Sequence, residues 1–495
     1  MHSTPISKTD FTRYLKCPRY GWLCKHKPEL CHEKTKRTAK QGMEVEALAH
    51  GLFAEGVEIP FGKRHLDLSA AATKTQELMA APKVQVIYQA TVHTDKYLCR
   101  ADIMVRDADG KGWHLYEVKA VTKLRPEHLA DISFQANVFE HVGIPVYTYS
   151  LVYLDKNYQY DEQKGLELKK MFLIKDLTKE IHEHKQEFNQ QMEEAHAVLT
   201  SPKEPHPAVL KKSFNPALPP LLEEYYWKDI PDYSIYDISF ITKKELIKLS
   251  EQKILLIKDI PNDFFKPGYK QLQVRLTKTH TRHIDHVKLK ERLATYQYPL
   301  YFLDYETVNP AIPRFNGTRP YQKIVFQYSL HVQRTPESSL EHFEFLHTEK
   351  DNPMPHLLKQ LQTEIGDHGT VFTWNQTFEK SCNTAMAKDY PQHSDFLLTV
   401  NERVSDLMKI FEEDIYADYQ FKGRTTIKKI LPILVPELNY ENLGIQHGGH
   451  AMDAWHDLMS DQAINRQETI KNMLEYCGQD TLAMVRILEF LRKVV

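Results

Sequence analysis

The sequence predicts an α/β protein in which two sheet-containing domains are joined by a helical connector. The chain has 495 residues, too many for one ordinary hydrophobic core, so two or three domains are expected. Apolar runs of strand length alternate with helical segments in two stretches, and a proline-rich region lies between them. The predicted domains are therefore 1–177, a connector at 178–296, and 297–495.

The first predicted domain opens with basic and aromatic helical sequence at 11–27, and a further helix is expected around 41–54. Residues 107–112 read Asp-Ala-Asp-Gly-Lys-Gly between two apolar runs, which is typical of a hairpin turn. The remaining predicted elements are strands at 84–92, 97–105, 113–118 and 146–153, and a helix at 126–141.

The connector begins with a polar helix at 178–200, and prolines cluster after it at 202–207 and 216–220. Residues 221–295 look like a small helical region. Within it, 243–261 has the size of a helical hairpin, which either packs into the protein or contacts the backbone of a duplex. Simple packing is the favoured interpretation.

The third predicted region combines strands and helices, ending in one long helix. Its predicted strands are 300–305, 324–332, 341–345 and 370–374, and its predicted helices are 353–365, 378–389, 426–434 and 467–494.

The composition is that of a soluble globular protein, with 42% hydrophobic and 26% charged residues. The sequence has no apolar run long enough to span a membrane and no secretory signal, so a cytoplasmic, reduced protein without a membrane partner is expected. The net charge of −2 gives no global basic signal. A nucleic-acid-binding surface would therefore have to be local.

The first group of candidate catalytic residues is Asp102, Glu117 and Lys119. Glu117 and Lys119 lie two residues apart on a predicted strand, so their side chains face the same side. The carboxylates of Asp102 and Glu117 could share a divalent cation, and Lys119 could position the attacking water or stabilise charge on phosphorus. The alternative is that these are ordinary charges on a half-exposed strand.

These residues resemble the PD-(D/E)XK nuclease superfamily in its RecB-like branch. The branch carries an upstream Gly-x-x-Val-His motif, which residues 42–46 match with Glu46 in place of the histidine. A Gln-x-x-x-Tyr helix follows the active lysine in this branch, and here Gln135 is retained while Phe139 replaces the tyrosine. The resemblance implies a mixed-sheet nuclease core, with metal ligands Glu46, Asp102 and Glu117 and catalytic residues Lys119 and Gln135.

The second group is Asp304 and Glu306 on a predicted strand, with Tyr476 and Asp480 far downstream. The strand pair projects to one face, and the downstream pair is spaced i, i+4 on one face of a helix. Carboxylates so arranged suit two metal ions, with the tyrosine orienting a water molecule.

This group resembles the DnaQ-like, RNase H-fold exonucleases of the tyrosine-bearing DEDD type. Their middle motif, Asn-x-x-Phe-Asp, is matched at 375–379, with Glu379 in place of the aspartate. Asp406 is either a further carboxylate or a helix-capping residue. The run at 424–429 is similar to a helix that meets phosphate in these enzymes. The resemblance implies an α/β/α domain with metal ligands Asp304, Glu306, Glu379 and Asp480, and Tyr476 as the catalytic tyrosine.

At the level of the whole chain, the order of parts resembles an uncharacterised bacterial family that joins a RecB-like domain to a DnaQ-like domain. Relatives often carry four cysteines that would hold an iron–sulfur cluster. Cys17 matches the first, but the region 211–227 has none, so no cluster is expected. Cys17, Cys24 and Cys31 recur every seven residues. Zinc binding there is disfavoured against buried or free thiols.

The resemblance implies a Mg²⁺- or Mn²⁺-dependent nuclease with two active sites that acts on nucleic acid, DNA rather than RNA. The last domain would be a 3′–5′ exonuclease, and the setting would be repair, recombination or defence. Two alternatives stay open at this point. One is a nucleic-acid-binding scaffold with one or both sites inactive, and the other is an RNA-processing exonuclease.

Overall fold

The computed structural model describes residues 5–31, 36–60, 68–205, 218–460 and 462–495. The chain divides into two compact units rather than three. The first unit comprises Met1–Leu210, Phe214–Asp229 and Pro310–Gln322, and the second comprises Lys211–Ser213, Ile230–Asn309 and Lys323–Val495. The connector predicted at 178–296 is thus shared between the units, and an insertion from the last predicted domain belongs to the first. Most of the predicted proline-rich linker, 206–217, lies outside the described residues.

The first unit is built on a mixed seven-stranded sheet in the order β2-β3-β4-β5-β6-β7, with the short β1 pairing in parallel with β4. The ladder from β3 to β5 is antiparallel, and β6 runs parallel to β5. The strands are β1 (Ile6–Ser7), β2 (Val57–Glu58), β3 (Val86–His93), β4 (Tyr97–Arg106), β5 (Trp113–Lys119), β6 (Val146–Leu154) and β7 (Phe172–Asp176).

Helix α5 (Pro126–His141) is the central helix of this unit. It begins with proline at its first position, where the missing N–H has no intrahelical partner to lose, and its residues from His128 to Phe139 are almost all buried. The other helices are α1 (Lys8–Lys16), α2 (Pro18–His26), α3 (Lys36–His50), α4 (Leu68–Ala80), α6 (Leu168–Met171), α7 (Thr178–Glu183), α8 (Lys185–Thr200) and α9 (Pro220–Trp227).

The second unit contains a mixed five-stranded sheet in the order β11-β10-β9-β12-β13. The central strand β9 is antiparallel to β10 and parallel to β12, so the sheet changes direction there. A separate pair of short strands joins β8 to β14. The strands are β8 (Arg282–Ile284), β9 (Leu300–Val308), β10 (Ile324–Gln333), β11 (Leu340–Leu346), β12 (Thr370–Thr373), β13 (Val404–Asp406) and β14 (Tyr416–Asp418).

The long helix α19 (Arg466–Lys493) packs against β9 and β10, and its buried residues recur every three or four positions from Met473 to Leu491. The other helices are α10 (Lys243–Glu251), α11 (Tyr269–Thr279), α12 (His286–Ala294), α13 (Pro353–Glu364), α14 (Thr377–Asp389), α15 (Ser394–Glu402), α16 (Lys409–Glu412), α17 (Ile427–Leu434) and α18 (Gly448–Met459). No helix in the described ranges is long and apolar enough to cross a membrane.

The predicted hairpin at 243–261 consists of α10 followed by a short 3₁₀ turn, Ile257–Asp259, in place of a second helix. Leu246, Leu249, Ile257 and Ile260 are all buried. Since these residues form the apolar side of the segment, the structure favours packing within the second unit over contact with a duplex.

The cysteines depart from the prediction in one respect. Cys24 and Cys31 form a disulfide, so the expectation of free thiols in a reduced chain is wrong for this pair. Their sulfurs are consequently not available as thiolate ligands for zinc. Cys99, Cys382 and Cys477 are buried free thiols, as predicted for core residues, and Cys17 is buried as well.

Two candidate metal centres

The first centre lies where β4, β5 and α5 of the first unit meet. The backbone N–H of Val118 donates to Asp102 Oδ2 at 2.8 Å, which ties the end of β5 to its neighbouring strand. Glu117 and Lys119 face the same side of β5, and Lys119 Nζ lies 2.5 Å from Glu117 Oε1. The structure therefore brings the three residues of the predicted first group together.

Helix α5 contributes two further side chains to this centre. Gln135 Nε2 donates to Glu117 Oε2 at 2.6 Å, which holds the second oxygen of that carboxylate. Asp131, one helical turn earlier, accepts a hydrogen bond from Lys119 Nζ. Asp131 was not among the predicted residues, although its i, i+4 spacing from Gln135 was a signal that it shares the same helix face.

Lys8 places a second ammonium beside the carboxylate of Glu117. No sequence motif predicts this contact. The Lys8 Nζ lies 2.6 Å from Glu117 Oε1 and 3.6 Å from Asp131 Oδ1. Lys8 is the first residue of α1, whose start is fixed by a capping box between Ser7 and Asp10. The contact with Glu117 joins residues 109 positions apart, so only the folded chain reveals it.

Glu46 stands on α3 and is held by Gln89, whose side-chain amide donates to its Oε1. Gln89 adopts a left-handed backbone conformation with a φ of 60°, uncommon for a residue with a side chain. Burial, reinforced by the charge of Glu117, raises the pKa of Glu46. The charge of Glu117 thus affects the pKa of Glu46, as expected for two carboxylates at the same centre.

Two lysines determine the electrostatics of the first centre. Burial would raise the pKa of Glu117, but the charges of Lys119 and Lys8 outweigh it and hold that pKa well below its usual range. Burial, together with repulsion from Glu117, raises the pKa of Asp102 well above its usual range. Glu117 is thus an ionised carboxylate already neutralised by the protein's own cations.

The second centre lies on the central strand of the five-stranded sheet. Asp304 and Glu306 project from one face of β9, and Asp480 comes from α19 packed beside that strand. One ligand oxygen from each of the three carboxylates lies within 4.8 Å of the others. In the described part of the chain, this spacing is found for Asp304, Glu306 and Asp480 but not for Glu46, Asp102 and Glu117.

Two tyrosines and a lysine border this cluster. Tyr440 donates its hydroxyl hydrogen to Asp480 Oδ1 at 2.6 Å, and Lys428 Nζ donates to the Tyr476 hydroxyl at 3.1 Å. The Lys428 ammonium also lies over both rings, 5.1 Å from the centre of Tyr440 and 4.8 Å from that of Tyr476. Tyr476 and Asp480 are therefore brought together as predicted. Tyr440 was missed, because it precedes Asp480 by 40 residues in a loop without a recognisable pattern.

Glu379 is buried near the start of α14, and its Oε2 has no hydrogen-bond partner among the described residues. Glu379 lies outside the cluster of Asp304, Glu306 and Asp480, whose ligand oxygens are within 4.8 Å of one another. Asp406 accepts hydrogen bonds from the backbone N–H groups of Asn375, Gln376 and Met408. Of the two roles left open for Asp406, the structure therefore favours backbone capping.

The electrostatics of the second centre are opposite to those of the first. No Lys or Arg of the described ranges lies within 4.0 Å of a carboxylate oxygen of Asp304, Glu306, Glu379 or Asp480. Burial, with repulsion from Asp480, raises the pKa of Glu306 to about 8. Burial also raises the pKa of Glu379 to about 8 and that of Asp304 well above its usual range. The more distant charges of Lys428 and Lys323 act to lower the pKa values of Glu306 and Glu379, respectively, but do not outweigh this rise.

Gly448 begins α18 directly beside this cluster. A side chain there would place its first carbon 3.4 Å from Glu306 Oε2, so glycine keeps that side of the carboxylate open. His447 caps the same helix by accepting the N–H of His450, and the two imidazole rings lie 3.5 Å apart. The two histidines thus lie near the site and have a structural role in this loop.

The comparisons with known proteins match parts of the chain. The family described as a domain of unknown function, DUF2779, matches residues 301–426, which include Asp304, Glu306 and Glu379 but not Tyr476 or Asp480. The uncharacterized protein MG366 homolog of Mycoplasma pneumoniae is 25% identical over 228 residues, 42% of this chain and 33% of the relative. The uncharacterized protein MG366 of Mycoplasma genitalium is 25% identical over 215 residues, 39% of this chain and 32% of the relative. The aligned part thus spans about a third of these curated relatives.

Replacing Lys8 by methionine should raise the affinity of the first centre for Mn²⁺ by at least about tenfold, because an ammonium beside Glu117 opposes a cation at the same oxygens. Binding is measured from the free Mn²⁺ signal in electron paramagnetic resonance, with Asp304→Asn as the background to weaken the second centre. Lys16→Met, an exposed lysine of the same helix, is the matched control. Equal affinities for the Lys8 and Lys16 variants would contradict the role given to Lys8.

Without divalent metal, the protein should lose stability as the pH rises from about 4.3, the ordinary glutamate value, to about 8. Over this range the folded state keeps protons on Glu306 and Glu379 that the unfolded state has released. Folding is therefore favoured at the acidic end and disfavoured at the basic end. The measurement is the melting temperature in EDTA between pH 5 and pH 8.5.

Glu306→Gln removes one of the two groups and should flatten this pH dependence, whereas Glu402→Gln on the exposed end of α15 should leave it unchanged. Added Mn²⁺ should raise the melting temperature of the unmodified protein more at pH 8 than at pH 6. A pH profile identical in the Glu306 variant and the unmodified chain would refute this account.

Proposed function

We propose that this protein is a divalent-metal-dependent nuclease with two active sites. The observation that carries the proposal is the second centre, where the carboxylates of Asp304, Glu306 and Asp480 converge and no Lys or Arg of the described ranges forms an ion pair with them. Buried carboxylates cost several kcal/mol each unless they are paired or coordinate a metal. Carboxylates clustered in this way therefore favour a bound divalent cation.

The donor set of the second centre fits Mg²⁺ or Mn²⁺, which prefer carboxylate oxygens. Asp304, Glu306 and Asp480 would hold the metal, and Glu379, with its unpartnered oxygen, is a fourth donor nearby. When bound, such ions supply an activated water and neutralise charge on a phosphodiester. The raised pKa values at this centre fit the same conclusion, because a divalent cation would remove the repulsion that raises them.

Side chains of the chain itself would then position the reactants at the second centre. Lys428 donates to the Tyr476 hydroxyl, so the oxygen of Tyr476 accepts and its hydrogen is free to point at a water or a carboxylate. Tyr440 fixes the orientation of Asp480. The mixed sheet with the acidic pair on its central strand supports an RNase H-like exonuclease domain, for which the sequence resemblance implies 3′–5′ polarity.

At the first centre, Glu46, Asp102 and Glu117 would hold the metal, Lys119 would polarise water or contact the phosphate, and Gln135 would orient Glu117. The strand pair, the α5 helix and the Glu46 helix support a PD-(D/E)XK core. The favoured substrate is DNA, in repair, recombination or defence.

A binding scaffold is the second candidate for this centre, and a specific observation favours it. Lys8 and Lys119 already neutralise Glu117, so the centre is stable as an ion-paired network without metal.

The test is degradation of 5′- and 3′-labelled single- and double-stranded DNA and RNA with Mn²⁺ by the unmodified chain, Lys119→Met and Asp304→Asn. In each variant, the rate of formation of a different product ladder should fall by at least about a hundredfold. This corresponds to a rise of about 2.7 kcal/mol in the activation barrier. Asp395→Asn, an exposed acid of α15, is the control and should cleave normally.

If Asp304→Asn removes one ladder and Lys119→Met changes nothing, only the second centre is an enzyme and the first is a scaffold. If the unmodified chain leaves every substrate intact across Mg²⁺ and Mn²⁺, the nuclease proposal fails for both centres. Degradation of RNA without DNA would make the protein an RNA exonuclease.

A further inference from the structure

A compact basic cluster lies on the loop that enters α17 in the second unit. Lys422 and Gly423 have left-handed backbones, with φ values of 51° and 72°, and they turn the chain from Tyr419–Phe421 toward α17. Burial, followed by the charges of Lys422 and Arg424, lowers the pKa of Lys429. The three cations, Lys422, Arg424 and Lys429, are therefore close enough to repel one another, an arrangement that an anionic ligand would relieve.

An exposed aromatic ring is attached to this cluster. The Phe240 side chain is 70% exposed, and its backbone has a φ of 56°, so a bulky residue is held in a conformation that costs about 1–3 kcal/mol. The Tyr269 ring supports the Phe240 ring edge-on, with 5.7 Å between centroids. A large apolar side chain held in strain at the surface has a face free to stack.

A hydrogen-bond network joins the two features. Ser239 Oγ donates to the backbone oxygen of Gly423, and the Ser239 N–H donates to Gln273 Oε1 at 3.0 Å. Gln273 packs so tightly on Gly423 that a side chain at that glycine would collide with it. Phe240 and the basic loop consequently form one rigid surface, although about 180 residues separate them.

The same surface continues to the second centre through α17. Lys428 and Lys429 are consecutive, so their side chains point about 100° apart around the helix. Lys428 reaches the Tyr476 hydroxyl at 3.1 Å, while Lys429 joins the basic cluster. The acidic groups near the cluster are Asp232, paired with Lys422, and Asp237, 3.9 Å from Arg424, while Asp414 and Asp418 line the same pocket as Arg424. Lys422 and Arg424 are thus partly compensated, whereas Lys429 has no carboxylate within 4.0 Å among the described residues.

We propose that Phe240 with Lys422, Arg424 and Lys429 binds single-stranded nucleic acid that leads to the second centre, an inference that rests on the proposed function. The ring would stack on an unpaired base, and the cations would contact the flanking phosphates, which is how single strands are bound without sequence preference. A duplex hides the faces of its bases inside the stack, so it could use the cations but not Phe240.

The experiment measures binding of fluorescent single-stranded dT20 to the full chain in EDTA, where hydrolysis does not occur. Phe240→Ala should weaken binding about tenfold, and Phe240→Trp should restore it, because any aromatic face can stack. Lys422→Ala combined with Arg424→Ala should weaken binding and reduce the slope of log affinity against log salt by about 0.7 for each phosphate that the protein no longer neutralises. Val287→Ala and Lys359→Ala, exposed residues elsewhere in the same unit, are the matched controls.

Unchanged binding in the Phe240 and double variants would overturn the proposal. So would equal competition by poly-glutamate, which would make the surface a site for acidic protein. Hydrolysis of the p-nitrophenyl ester of thymidine 5′-phosphate with Mn²⁺ separates this result from the proposed function. That ester is too short to reach Phe240, so Phe240→Ala should hydrolyse it normally while Asp304→Asn should not. If the unmodified chain does not hydrolyse the ester, the proposed nuclease site is refuted. The dT20 binding measured in EDTA tests the Phe240 surface independently of that outcome.

Discussion

The desolvation of carboxylates is the constraint on which both candidate centres depend. Removing an ionised carboxylate from water costs more than most other events in folding, and repulsion between neighbouring carboxylates adds to that cost. Each unit nevertheless places such groups beside its sheet, at less than a tenth of their full exposure for Glu117, Glu306 and Asp480. The surroundings of the acids, rather than the acids themselves, distinguish the two centres.

The first centre compensates its charge with cations of its own. Lys8 and Lys119 share one oxygen of Glu117, and Gln135 donates to the other, so the protein's own donors occupy about three of the four acceptor positions of this carboxylate. A metal ion at Glu117 would be repelled by both ammoniums unless one of them moved away. Lys8 comes from the first turn of α1, whereas Lys119 shares the strand of Glu117, so Lys8 is the partner that can leave without distorting the sheet.

The second centre has no such partner in the described ranges, and protons take the place of cations when metal is absent. Lys428 borders this centre, but its ammonium donates to Tyr476 rather than to a carboxylate. Burial raises the pKa of Asp480 as well, and the hydrogen bond that Tyr440 donates to it only partly offsets this rise. Under the proposed function, the second centre would bind a cation in place of its protons, whereas the first would bind one beside the lysines that already neutralise Glu117.

The sequence predicted what local periodicity determines and missed what distant contacts determine. Helix α5 was predicted with its bounds at Pro126–His141, because a proline start and a continuous apolar pattern mark it. The paired strands β9 and β10 were also predicted, since β-branched and aromatic residues alternate there. Strands of two or three residues, such as β1 and β13, carry too little pattern to be recognised. Helix α4 was missed because its alanines and threonines give a weak apolar stripe.

The candidate residues divide in the same way. Motif spacing was enough to place Glu117 with Lys119 and Tyr476 with Asp480, because strands and helices fix such short intervals. It was not enough to find Lys8, Tyr440 or the attachment of Phe240 to the basic loop, each of which joins segments far apart in the chain. The division into units failed for a related reason. Prolines suggested contiguous domains, but 310–322 folds with the first unit, as the hydrogen bond from the Tyr160 N–H to the Thr318 carbonyl illustrates.

Helix α17 would connect the proposed binding surface with the second centre, because Lys428 contacts Tyr476 and Lys429 follows it in the chain. Its two consecutive lysines point in different directions because a helix turns by about 100° per residue. Pro432 lies inside this helix, which continues to Leu434 and is about two turns long. The left-handed turn at Lys422 and Gly423 then sets the direction of the preceding loop. The position of the cluster relative to Tyr476 is thereby fixed by backbone geometry, not by flexible side chains.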